Sequence, residues 1–287
     1  MRVLVLSGGG SKGGFQNGAL RYILGELKVS YDAFCGISVG ALNAAFLAQF
    51  KKGEEQLAAD ELNKLWHRVD TKKIYKRWFP FGILHGAWLP SLKNSRPLLD
   101  WINTELDLNK IRNSGKICQV GAVSLNTGEY RLFDQNYIEF NKAVAASSSF
   151  PGYLIPIQME GQLWSDGGIK EITPLQAAID LGADEIDIII TAPKNDSTPF
   201  QGRPSAIKIL KRTVDLMSDE VMANDIDKAL LYNQLVKANL APNKRYLKLN
   251  IIRPDKNLID DSMDFSPDKI KEMMDIGYQI AKSKYIL

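Results

Sequence analysis

The chain opens on an apolar run, Arg2 to Ser7, that stops at three glycines and is followed by apolar positions at Phe15, Ala19, Leu20, Ile23 and Leu24. A short β-branched and leucine-rich run followed by a three-to-four-residue repeat predicts strand, glycine turn, helix. The same succession recurs at once. Tyr31 to Cys35 is short and extended, Gly36 to Gly40 is a turn, and Ala41 to Phe50 has the small, apolar character of a helix lying on a sheet. Two such units in succession predict parallel strands joined through helices. Further strand-like runs at Ile117–Ser124, Glu129–Phe133, Glu185–Thr191 and Tyr246–Ile252 alternate with helical patterns at Asn136–Ser147, Pro174–Leu181, Ser205–Ala238 and Pro267–Lys284. The expected class is α/β, a three-layer α/β/α arrangement around a mostly parallel central sheet, as a single domain over residues 1–287.

Polarity then limits where such a chain sits. The longest uncharged run, Ala33 to Phe50, contains Ser38, Asn43, Gln49 and two glycines, so it reads as strand, turn and buried helix rather than a membrane span. The N-terminal apolar stretch is about five residues long, shorter than a signal-peptide core. No signal peptide or transmembrane helix is expected, and a cytoplasmic or membrane-peripheral location follows. Two cysteines, Cys35 and Cys118, with no CxxC pair, and two histidines are too few for a structural zinc site. They also argue against a secreted disulfide framework and for a reducing compartment. A net charge of +3 does not suggest a nucleic-acid partner.

That charge is unevenly spread. Residues 71–99 hold six basic residues (Lys72, Lys73, Lys76, Arg77, Lys93 and Arg96) and no acidic ones, so against the total of +3 the remainder of the chain is at −3. The same stretch carries Tyr75, Trp78, Phe79, Phe81 and Trp88. Two readings compete for this insertion, at about 70–100. One is a lid or cap whose aromatics pack on the domain. The other is an interfacial segment in which Tyr75, Arg77, Trp78, Phe79 and Trp88 touch an anionic membrane surface.

Three glycine-containing motifs carry the candidate chemistry. The first, Gly8-Gly9-Gly10-Ser11-Lys12-Gly13-Gly14, follows the first strand and opens the first helix. It matches a dinucleotide fingerprint, with Asp32 placed where a ribose partner would stand. Its physical content is broader, because glycines bring backbone amides close to a ligand and a helix N-terminus favours any anion, phosphate or oxyanion alike. The second, Gly36-Ile37-Ser38-Val39-Gly40, is G-x-S-x-G between strand and helix, the nucleophile elbow that lifts a serine hydroxyl clear of the sheet. The Val39 amide is positioned to help hold developing charge. An ordinary α/β-hydrolase supplies its histidine late in the chain, yet His67 and His85 are the only two and no histidine follows residue 85. A histidine-free mechanism is needed. The third motif, Ser165-Asp166-Gly167-Gly168, ends a short extended run with an aspartate whose two following glycines allow a sharp turn and leave the carboxylate accessible.

Together these residues resemble the patatin-like phospholipases. GGGSKG resembles that family's glycine-rich oxyanion motif, GISVG its nucleophile elbow and DGG its aspartate motif, in the family's order. Ala145 to Pro151, just before the third motif, is similar to the family's small-residue helix end and proline turn. Lys12 stands where the family usually has arginine, which keeps the charge and loses the bidentate fork. The resemblance implies a patatin-like fold and a catalytic dyad, with Ser38 as nucleophile and Asp166 as general base. It further implies an oxyanion site on the Gly8–Gly13 loop, chiefly the amides of Gly9 and Gly10 with Gly8 and Ser11 contributing. Lys12 is a candidate to orient that loop or to meet a lipid phosphate. Phospholipid or other lipid-ester substrates are implied, with neither metal nor organic cofactor. Two alternatives remain at this point: a dinucleotide-dependent oxidoreductase using Gly8–Gly13, and a catalytically silent lipid-binding module.

Overall fold

The computed structural model describes residues 1–79, 88–194, 199, 203, 205–241 and 245–285. Among the described residues there are eight strands: β1 (Arg2–Leu6), β2 (Ala33–Gly36), β3 (Ile117–Ser124), β4 (Tyr130–Asp134), β5 (Ile157–Met159), β6 (Gln162–Asp166), β7 (Glu185–Ile189) and β8 (Lys248–Ile252). They form one sheet in the order β5-β6-β3-β2-β1-β7-β8, with β4 also paired to β3. The run β3-β2-β1-β7-β8 is parallel. The other strands are antiparallel. The class is therefore α/β with a mixed, mostly parallel sheet. The β5–β6 hairpin, not evident in the sequence pattern, is joined by Glu160 and Gly161, both at positive φ, and a two-residue link of this kind can only return the chain antiparallel.

Side chains alternate along each central strand between two cores. Leu4 and Leu6 of β1, Phe34 of β2 and Val120 of β3 enter one, whereas Val3, Val5, Ala33, Cys35, Ile186 and Ile188 enter the other. A strand with both faces buried must be apolar at every position, which is why RVLVL shows no polar alternation. The first core is covered by α1 (Gly13–Leu20, prolonged by a π turn over Arg21–Glu26), α2 (Val39–Leu47) and α3 (Glu55–His67), beside the single turn α4 (Thr71–Ile74). The helices α5 (Arg96–Glu105), α6 (Leu108–Asn113) and α7 (Phe140–Ser147) complete this layer. The second core is covered by α8 (Leu175–Asp180) and the long α9 (Ala206–Lys237), through Leu175, Ala178, Met222, Ile226 and Ala229. The C-terminal helix α10 (Pro267–Tyr285) packs on the first. The cysteines are free and stand on opposite faces, Cys35 in the second core and Cys118 in the first.

Register decides what meets what. Gly36, the last residue of β2, pairs with Val120, and two residues further along β3 Ala122 pairs with Asp166. Where β2 leaves the edge of β3 to turn into α2, β6 takes its place. Ser38, two residues beyond Gly36, thus comes level with Asp166, although 128 positions separate them in the chain.

Candidate active site

The turn from β2 into α2 has no room for side chains on either flank of Ser38. A Cβ on Gly36 would strike the carbonyl of Gly40, and one on Gly40 would strike the carbonyl of Leu6. Ile37 is buried and donates its amide to that same Leu6 carbonyl at 3.2 Å. Ser38 itself is held at φ 56° and ψ −127°, a conformation uncommon for a residue with a Cβ, before Val39 begins the helix. Its backbone is fixed by two serines at the C-terminal end of α7. The Ser38 amide donates to Ser147 Oγ at 3.1 Å, and Ser148 Oγ donates to the Ser38 carbonyl at 3.0 Å.

Asp166 ends β6 at 4% exposure. Its Oδ1 accepts the Gly168 amide at 2.8 Å, and the Ser38 side chain lies beside the carboxylate. Burial pushes this carboxyl up to about 7, against the opposing pull of the Ser38 hydroxyl and the Gly168 amide. The Asp166 amide donates to Ser149 O at 3.0 Å, the carbonyl that also accepts Ser165 Oγ at 2.6 Å. One short segment, Ser147 to Ser149, therefore grips Ser38 by two side chains and the strand of Asp166 by a carbonyl. The AASSSFP string was read as a small-residue helix end and proline turn, but only the contacts reveal what its hydroxyls bind.

The glycine loop lies beside this pair, and most of its amides are already engaged. Gly8 donates to Ile172 O at 3.1 Å, Ser11 to Ser262 O at 2.7 Å and Lys12 to Gly9 O at 3.1 Å. Gly13 donates back to the Gly10 and Ser11 carbonyls. Gly8 and Ser11, expected to contribute, have their amides engaged within the protein; among the described residues, the loop's unpaired amides are those of Gly9 and Gly10. Val39 adds a third unpaired amide at the start of α2, since the α2 hydrogen bonds begin at Gly40.

Ser38, Asp166, Gly9 and Gly10 open into a cavity of about 340 Å³. Its walls are mostly apolar. Leu42, Leu65, Trp66, Leu98, Trp101 and Leu154 line the side toward the first core, and Val214, Met217, Val221 and Met222 of α9 face them. No sequence pattern connected α9 with a site built near the N-terminus. Lys12 also lines the cavity. Among the described residues, no imidazole does; His67 is exposed at the end of α3 with Nδ1 at 2.8 Å from Asn63 O, and His85 lies outside the described residues.

Asp32 precedes β2 and accepts the amide of Arg2, so it stands at the N-terminal end of the sheet, opposite the glycine loop. A dinucleotide held by that loop could not reach it, which removes the structural basis of the oxidoreductase reading. Of the basic aromatic segment, Tyr75 packs edge-on against Tyr153 with ring centroids 5.5 Å apart, and Trp78 donates its ring N–H to Ser91 O at 3.0 Å. Phe79 and Trp88 are exposed at 90% and 91%, and Arg77 is exposed beside them in sequence, while Phe81 lies outside the described residues. The two readings thus divide the cluster between them: two rings pack inward and two face out.

A G-x-S-x-G turn, a buried aspartate beside its serine and a glycine loop with unpaired amides thus meet in one cavity at the ends of β1, β2 and β6 of an α/β sheet. A family model described as Patatin-like phospholipase matches residues 4–179, and the chain belongs to that family. It is 21% identical over 314 residues to the calcium-independent phospholipase A2-gamma of Mus musculus, covering 94% of this chain and 37% of that protein. It is 26% identical over 197 residues to the uncharacterized protein YjjU of Escherichia coli K12, covering 66% of this chain and 52% of that protein. The chain spans roughly a third to a half of the length of these relatives. Among solved structures, VipD from Legionella pneumophila aligns over 99% of this chain and 66% of its own, at 14% identity and a TM-score of 0.47.

Proposed function

We propose that the chain is a lipid acyl hydrolase of phospholipase A type, acting as a single catalytic domain through a Ser38–Asp166 dyad. The observation that carries this reading is Ser38 beside a buried carboxylate, both opening into one apolar cavity, with burial raising that carboxyl to about 7. A base that titrates near the working pH is half ionised there and still accepts a proton strongly. As Asp166 takes the hydroxyl proton, Ser38 Oγ bonds to the ester carbonyl carbon. The carbonyl oxygen becomes an oxyanion facing the unpaired amides of Gly9 and Gly10, with Val39 at the start of α2 adding a third donor. Collapse of the tetrahedral species breaks the bond to the alcohol, which leaves with the proton from Asp166. Water then repeats the sequence on the acyl-serine. The apolar walls suit a fatty-acyl chain, and Lys12 suits a phosphate at the cavity's rim.

Two assays test this. Products from a mixed lipid extract, identified by mass spectrometry, are expected to be free fatty acid and lysolipid. A fluorophosphonate is expected to label Ser38 covalently. No labelling and no fatty-acid release would leave the silent lipid-binding module in its place.

The same site must reach lipid in an aggregate. No helix among the described residues is long and apolar enough to cross a membrane. The exposed Phe79 and Trp88, with the basic residues around them, would instead seat the domain on an anionic surface. Binding to phosphatidylglycerol vesicles is expected to exceed binding to phosphatidylcholine vesicles, and to fall as salt shortens the Debye length below its physiological ~8 Å. A Phe79→Ala, Trp88→Ala double variant is expected to lose vesicle binding while keeping hydrolysis of a soluble ester. Equal binding of wild type and variant to both vesicle types would remove this part of the reading.

A further inference from the structure

We infer that Thr191 is a positioning residue that sets the direction of the Gly9 amide in the oxyanion site. This rests on the acyl-hydrolase reading above and concerns a residue that none of the three motifs contains. A trans peptide unit is planar, so its carbonyl and its N–H point in opposite directions, and anchoring one aims the other. In the Gly8–Gly9 unit the carbonyl of Gly8 accepts Thr191 Oγ1 at 2.5 Å and Ser7 Oγ at 3.1 Å. The N–H of that unit belongs to Gly9, one of the two unpaired amides. In the next unit the carbonyl of Gly9 accepts the Lys12 amide at 3.1 Å, which aims the N–H of Gly10 in the same manner. Successive carbonyls are thus tied down within the protein and the two amides are left for a ligand.

The need for an anchor comes from the loop's own composition. Gly9 and Gly10 sit at φ 144° and 57°, and glycines have no side chain to oppose rotation of the peptide between them. A flipped Gly8–Gly9 unit would present a carbonyl where the oxyanion forms. Thr191 is suited to prevent this. It follows β7 at 1% exposure, lines the cavity, and has its own amide donated to Ser7 Oγ at 3.1 Å. Ser7 in turn donates its amide to Ile189 O at 3.2 Å, so hydroxyl and carbonyl are held by adjacent strands, β1 and β7. The approach is close enough that a Cβ on Gly9 would run into Thr191 Oγ1. The same contact therefore requires glycine at 9 and holds the peptide that glycine leaves free.

The test uses the full chain, a soluble fatty-acyl ester, and a long-chain alkyl trifluoromethyl ketone, whose serine adduct carries an oxyanion. Thr191→Ala is expected to lower kcat by roughly 10- to 100-fold, less than the removal of a whole donor. Its KM is expected to stay within about twofold, because the hydroxyl acts on the transition state rather than on substrate binding. Trifluoromethyl ketone affinity is expected to fall by the same factor as kcat, with Tm little changed. Thr191→Ser, which keeps the hydroxyl, is expected to restore both to within about threefold of wild type. Should Thr191→Ala fail to fold, Thr191→Cys offers a weaker donor of similar size for the same comparison with Thr191→Ser. A kcat within twofold of wild type in Thr191→Ala, a Thr191→Ser variant as impaired as Thr191→Ala, or a rise in KM with kcat unchanged would overturn the inference. If instead wild type neither hydrolyses the ester nor forms the Ser38 adduct, the acyl-hydrolase reading fails and takes this inference with it.

Discussion

Replacing Ser38 with alanine is expected to lower fatty-acid release by on the order of 10⁴-fold or more, with the protein still folded. The loss is large because nucleophile, base and oxyanion site act as a unit, and removing the nucleophile leaves only binding and electrostatics. The fold is expected to survive because the bonds that secure this turn are backbone bonds: the Ser38 amide to Ser147 Oγ and the Ser38 carbonyl from Ser148 Oγ are both retained in alanine. Wild-type rates of release from a Ser38→Ala protein, measured by mass spectrometry on the same lipid extract, would sink the dyad.

Asp166→Asn is the second large effect, and it separates base from scaffold. The amide oxygen can still accept the Gly168 N–H, now made to Asp166 Oδ1, but the residue no longer takes a proton from Ser38. A fall of about 10³- to 10⁴-fold in kcat is expected. In the mechanism proposed above, only the ionised carboxylate serves as base. With its pKa at about 7, acylation should rise with pH through 7 and level off above it, so that at pH 5 it runs about 100-fold below the plateau. The stability change has the opposite sense. A carboxyl raised from 3.8 to about 7 keeps its full contribution to stability below pH 4 and loses it progressively as pH rises to 7, because the unfolded chain ionises first. The loss is at most about 4 kcal/mol. Asp166→Asn lacks this penalty, so urea unfolding should find it more stable than wild type at pH 8 and close to it at pH 4. A pH profile flat between 5 and 8 would show that Asp166 is not the titrating base.

Much of this arrangement was legible in the chain, for identifiable reasons. RVLVL and the short strand before Gly36 could be read as buried parallel strands because both faces need apolar residues, and the first two glycine motifs marked their C-terminal ends. The mixed character of the sheet was harder to see. β5 has three residues, too few to show alternation, and its pairing is set by the positive φ values at Glu160 and Gly161. Which amides of the glycine loop remain unpaired depends on Ile172 and Ser262, far away in the sequence, and no local pattern encodes that. The role of Ser147–Ser149 was hidden because it lies in four hydrogen bonds to two other segments. Met217 and Met222 reach the cavity only because α9 lies along the sheet, and a 32-residue helix does not announce which of its turns faces a site.

The backbone of Ser38 bears on stability as well as chemistry. At φ 56° and ψ −127° a residue with a Cβ is strained by about 1–3 kcal/mol, whereas glycine adopts that conformation readily. Ser38→Gly should therefore be more stable than Ser38→Ala, although both lack the hydroxyl. The turn that presents the hydroxyl is thus a turn that the serine itself makes costly, and urea unfolding of the two variants reads that cost apart from any loss of activity.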